Sequence, residues 1–172
     1  HILKSLPRRK LVFTKSQKAM LRSKMDLEVK HYCWILASIL DLHDDSKFEE
    51  LNMLLYNELD TAKNRLYLIL GLLYTIDEIN QIQSALNCDE SHEVVLAMEM
   101  LENVLDERIK EIIIPVFDTM EIKPKYDKLV SFFPQIKMSP LKRLENIINY
   151  DFKRSITLLR IVAIKKLGQF YE

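Results

Sequence analysis

The sequence predicts an all-α fold built as an array of helical hairpins, and three observations predict it. There are only two glycines and five prolines in 172 residues, too few turn formers for a sandwich or an α/β fold, so helices with short connections are favoured. Apolar residues recur at three- and four-residue steps over most of the chain, the period of one helix face. Finally, the stretch DESHEVVLAMEMLENVLDERIKEIIIPVFDTM, 89–120, reads as two short amphipathic helices set almost end to end. Its first stripe is Val94, Ala97, Met98, Leu101, Val104 and Leu105, and its second is Ile109, Ile112, Ile113, Val116, Phe117 and Met120. Helices this short are marginal alone in water. A hairpin of two cannot bury both stripes, so another must stack beside it, which is the physical basis of a repeat array.

Residues 1–14 form a basic lead-in or linker around Pro7, and residues 15–172 the helical domain. Residues 15–42 predict one long helix on Met25, Val29, Tyr32, Leu36 and Ile39, with HYCWILASIL (31–40) as buried core. Asp44, Asp45 or Ser46 can cap the next helix by accepting an orphan backbone N–H. That helix covers 46–74 on the stripe Phe48, Leu51, Leu55, Leu59, Ala62, Leu66, Ile69 and Leu73. From Leu66 to Tyr74 it is apolar nearly all round, which predicts the most buried part of the domain, and Gly71 within it predicts a close helix crossing. Thr75 and Glu78 have capping-box spacing ahead of Ile76, Ile79, Ile82 and Leu86. Pro115 should bend or re-start the helix near 112–114. A short helix is expected at about 125–133, and another opens with Ser139 as cap and Pro140 at its first position. The last starts at Asp151 and carries Phe152, Ile156, Leu159, Ala163, Leu167 and Phe170.

Net charge is zero but unevenly spread. Residues 1–24 hold eight Lys/Arg and no acid; residues 77–121 hold twelve acids against Arg108 and Lys110; residues 123–172 hold eleven Lys/Arg against four acids. The chain is thus basic, acidic, basic along its length, which can steer partners. Four cations at 4–10 are too few to argue for nucleic acid on their own. The apolar runs 31–40 and 66–76 fall short of the roughly 20 residues a membrane-spanning helix needs. Two cysteines far apart, Cys33 and Cys88, suggest a reducing compartment or no redox role. The chain opens on His1 with no signal-peptide pattern and is expected to be a segment of a longer protein.

The stretch RLYLILGLLYTIDEINQIQSALN (65–87), followed by VVLAMEMLENVLDERIKEIIIPVFD (94–118), carries a resemblance. Arg65-Leu66, the run Ala97 to Leu105 and Ile114-Pro115 are similar to the HEAT-like repeats of a bacterial family. Its members combine an ADP/ATP-translocase-like membrane region, HEAT repeats and sometimes a cyclic-nucleotide-binding domain. Leu144 to Leu167 resembles a later repeat of that family. These are packing motifs. They imply an α-solenoid of HEAT-like, armadillo-like hairpins in a right-handed superhelix, on the cytoplasmic side of a bacterial inner membrane and tethered there through the parent protein. They imply no catalytic residue and no cofactor. The expected partners are other domains of the parent chain or another protein.

The residues themselves offer little chemistry. Cys88 and His92, with Asp89, Glu90 and Glu93, lack the further ligands a zinc site wants. His31 and Cys33 stand two apart on a helix and point different ways. His43, Asp44, Asp45, Glu49 and Glu50 sit at a helix start, where the macrodipole favours exposed acids. No phosphate-cradling glycine loop occurs. Trp34, Tyr32 and Tyr67 read as core. The expectation is a non-enzymatic scaffold that contacts a protein through Glu99, Glu102, Asn103 and Lys110. The alternative is an α-solenoid that binds nucleic acid or phosphate through Lys153, Arg154, Arg160, Lys165 and Lys166. No metal site is expected.

Overall fold

The computed structural model describes residues 13–43, 46–88, 90–150 and 157–170. These residues are all-helical, with no strand among them. The helices are α1 (Lys15–Leu42), α2 (Glu49–Leu73, entered through a 3-10 turn at Ser46–Phe48), α3 (Ile76–Leu86), α4 (Ser91–Val104), α5 (Glu107–Phe117), α6 (Ile122–Leu129), α7 (Pro140–Asn149) and α8 (Thr157–Gly168). The lead-in to residue 12, Asp44, Asp45, Asp89 and residues 151–156, where the last helix was expected to begin, lie outside the described residues. No helix is long and apolar enough to cross a membrane among them.

Two compact units divide the chain. Unit 1 comprises His1–Val29 and Lys63–Thr119, and unit 2 comprises Lys30–Ala62 and Met120–Glu172. In unit 1, helices adjacent in sequence pack on each other, α3 on α4 and α4 on α5. The α4 stripe buries Ala97 and Leu101, and α5 buries Ile109, Ile112, Ile113, Val116 and Phe117. Tyr67 lies against Phe117 with ring centroids 4.3 Å apart. The α1 and α2 portions of the unit are tied by Glu28 and Arg65, whose Nε donates to the carboxylate at 2.8 Å. Arg22 and the Tyr74 hydroxyl both donate to the Asp106 carboxylate, at 2.8 and 3.2 Å, at the start of α5.

In unit 2, α1 is buried on every side from His31 to Ile39. The 66–74 stretch, expected to be the most buried, leaves Leu68 exposed and Leu72 to Tyr74 half-buried. All-round apolarity yields all-round burial only where elements cover every side, and that condition is met around 31–39. Trp34, His31 and Tyr150 form a stack, Trp34 on Tyr150 at 3.7 Å and nearly parallel. The buried His31 Nε2 lies 3.1 Å from Oε1 of the half-buried Glu58. Arg143 on α7 is almost fully buried. Its Nε and Nη2 donate to Asp41 Oδ2 at 2.9 and 2.6 Å, Nη2 also to the Ile136 carbonyl, and Nη1 to Asn146 Oδ1. Asp41 also accepts from the Met138 amide, and Asn146 from Trp34 Nε1. α7 packs on α8.

Local details depart from expectation. The capping box is at Thr14 and Gln17, where each side-chain oxygen accepts from the other residue's amide. Thr75 and Ser139 hold N-cap positions in extended backbone, but neither side chain makes a cap hydrogen bond. Helix α5 does not re-start and runs through Pro115 as one element. The carbonyl that Pro115 leaves without a helical donor belongs to Glu111, an exposed position where water can serve it. The close neighbour of Gly71 is Ile76, the first residue of α3. A methyl there would sit 3.4 Å from Ile76 Cγ1, at the turn into α3. The helix expected at 125–133 starts and ends earlier, at Ile122–Leu129. Pro124 falls in its first turn, where no helical donor is needed.

Candidate interaction faces

Successive residues of a helix point about 100° apart, so burial along α4 sorts its side chains into two faces. Ala97 and Leu101 are buried, with Val94, Met98, Met100 and Val104 half-buried at the flanks. The opposite side carries His92, Val95, Leu96, Glu99, Glu102 and Asn103, all exposed. Glu99 lies near its centre, with Val95 and Glu102 to one side and Asn103 and Leu96 to the other. Three expected contact residues thus share one solvent face. Lys110 is not shown to join them: it is half-buried on α5, and its ammonium pairs with Glu107 at 2.5 Å.

Val95 and Leu96 were missed because they fall off the i, i+3, i+4 stripe that marks the core. They are 57% and 45% exposed. Two large apolar side chains beside two carboxylates make a surface with both a desolvation drive and a charge. Among the described residues, no cation pairs with Glu99 or Glu102.

Among the described residues, the cations of the alternative reading do not form a row. Lys153 and Arg154 lie outside the described residues. Arg160 is half-buried and donates to the Tyr150 carbonyl. Lys165 is exposed, whereas Lys166 lines a recess of about 100 Å³ with Lys47, Phe48, Gln169 and Phe170. Lys47 lies over the rings of Phe48 and Phe170. On α8, Arg160, Lys165 and Lys166 point about 100° or more from one another, so one phosphate track would not meet all three. The outward face of α8 is mostly apolar, with Leu158, Ile161 and Ile164 each more than half exposed.

Of the other singled-out residues, Asp44, Asp45 and Asp89 lie outside the described residues. Cys88 and His92 are both exposed, and no group of three or more His, Cys, Asp or Glu could hold a metal among the described residues. Glu49 and Glu50 are exposed in the first turn of α2. Burial pushes the Cys33 thiol up to about 12 and raises Tyr32 and Tyr67 further, so all three stay protonated at neutral pH. Burial also raises Tyr74, against the lowering effect of its backbone hydrogen bond with Asp106.

No family model, curated protein or solved structure matches this chain.

Proposed function

We propose that this chain is a non-enzymatic helical-repeat module that docks a protein through the outward face of α4. The observation that carries the reading is the juxtaposition of Val95 and Leu96 with Glu99, Glu102 and Asn103 on one exposed helix face. Large apolar side chains on both sides of a carboxylate give one helix face both a desolvation drive and a charge, the mix of a contact site. An α-solenoid of HEAT-like hairpins in a right-handed superhelix is the fold proposed with it. Its support is the packing of sequence neighbours, α3 on α4, α4 on α5 and α7 on α8, as a repeat array requires. In this proposal the module is the cytoplasmic part of a larger bacterial membrane protein, of nucleotide-transporter type, and its partners are that protein's other domains or a second protein. The resemblance at 65–118 supports that part of the reading.

Site-specific photo-crosslinking tests it. A photoreactive residue at position 99 or 103 is expected to trap one discrete protein adduct in cells, or a cis-linked product within the parent chain. The same group at Met53, exposed on α2, serves as the control. Equal, diffuse labelling from both helices would reject the α4 face as a docking site.

A further inference from the structure

We propose that the outward face of α8 docks on the outward face of α4 of a second copy, head to tail. The proposal rests on the reading of α4 as a docking face and names its occupant.

Helix α8 is apolar on both sides. Leu159, Val162 and Ala163 are buried, while Leu158, Ile161 and Ile164 form a second, solvent-facing stripe. A stripe at three-residue spacing is a contiguous patch rather than scattered exposure. The helix contains no acid, and exposed Lys165 flanks the stripe. The face on α4 is its counterpart in charge. That helix contains no Lys or Arg, and Glu99 and Glu102 share its exposed face with Val95 and Leu96. The spacing also matches. Leu158 to Lys165 and Val95 to Glu102 are both seven-residue steps, about 10 Å along a helix. Two helices side by side in parallel would bring Leu158 to Val95 and Lys165 to Glu102.

Because the two faces differ, the contact is heterologous. Copies then add head to tail, closing into a ring or continuing as an open chain, and assembly grows with concentration. A single helix-on-helix patch falls below the roughly 1,200 Å² of stable interfaces, so the association is transient. Its ionic part is screened by salt, because the Debye length falls from about 10 Å at 0.1 M to about 3 Å at 1 M.

Sedimentation velocity on the full chain tests this over a concentration series reaching the upper micromolar range, at low and high salt. The wild type should sediment faster as concentration rises, and less so in high salt. The E99K/E102K variant and the K165E variant should each remain monomeric, with unchanged circular dichroism. A one-to-one mixture of the two should recover salt-sensitive assembly, because each variant's α8 face is then opposite in charge to the other variant's α4 face. Wild type that stays monomeric throughout, or assembly unchanged by either variant, overturns the proposal. Titrating a synthetic Leu/Lys amphipathic helix separates the two readings. Saturable binding lost in E99K/E102K, with a monomeric wild type, removes self-docking and keeps α4 as a docking face. Absence of both removes both.

Discussion

The two units bury comparable apolar cores but satisfy their polar groups differently. In unit 1 the Arg22–Asp106 pair is open to water, with both side chains 57% exposed. The Glu28–Arg65 pair is deeper, with side chains 11% and 15% exposed. In unit 2 the Asp41–Arg143 pair is nearly fully buried, at 5% and 1% exposure, and is joined by Asn146, Trp34 and two backbone groups. Unit 1 is held mainly by stripes, in which any apolar side chain of fitting volume will serve. Unit 2 depends on particular atoms, because each member of a buried network fails if its partner is lost.

The sharpest way to break this contrast is Arg143→Leu, which strands the Asp41 carboxylate. It is expected to cost about 3–5 kcal/mol in urea unfolding, whereas Asp41→Leu with Arg143→Leu should recover most of the loss. A single-variant cost under about 1 kcal/mol would mean the network is not structural. In unit 1 the matching test is Leu101→Ala, at a fully buried stripe position. The lost transfer energy and the cavity together should cost about 2–5 kcal/mol in the same assay.

A smaller effect comes from pH. Burial raises the Cys33 thiol from 9.0 to about 12, so the folded chain keeps this proton where the unfolded chain loses it. Its contribution is complete below about pH 9 and fades as pH rises toward 12, at up to about 1.4 kcal/mol per pH unit. Between pH 9 and 10, Cys33→Ala should flatten that decline in chemical unfolding. At neutral pH a thiol reagent should modify exposed Cys88 in the native chain and reach Cys33 only after denaturant is added. The smallest effect belongs to Arg22→Ala. Its exposed pair should be worth under about 1 kcal/mol and vanish in high salt.

What was legible in the sequence follows from range. Periodicity is local, so the long helices at 15–42 and 46–74 and the stripes of α4 and α5 could be read directly. Capping is also local, yet Thr75 and Glu78 have the right spacing without the bonds, while Thr14 and Gln17 make them. Spacing permits a cap, but side-chain orientation decides it. Arg143 and Asp41 could not be paired by reading, because they stand 102 residues apart and nothing local distinguishes them from surface charges. On the α4 face, Glu99, Glu102 and Asn103 were legible as exposed polar positions. Val95 and Leu96 were hidden because an apolar residue in a helix is read as core by default. The same habit hid Leu158, Ile161 and Ile164, which interleave with the buried stripe of α8.

The Asp41 carboxylate has a consequence beyond its ion pair. Residues 134–139 contain no regular helix, yet the Met138 amide is held at 3.1 Å by that carboxylate. Its hydrogen should therefore exchange with deuterium as slowly as one inside a helix, although its neighbours in the chain trade theirs quickly. A lone slow amide in an irregular stretch makes a built-in gauge: the moment it quickens, the anchoring side chain across the unit has let go.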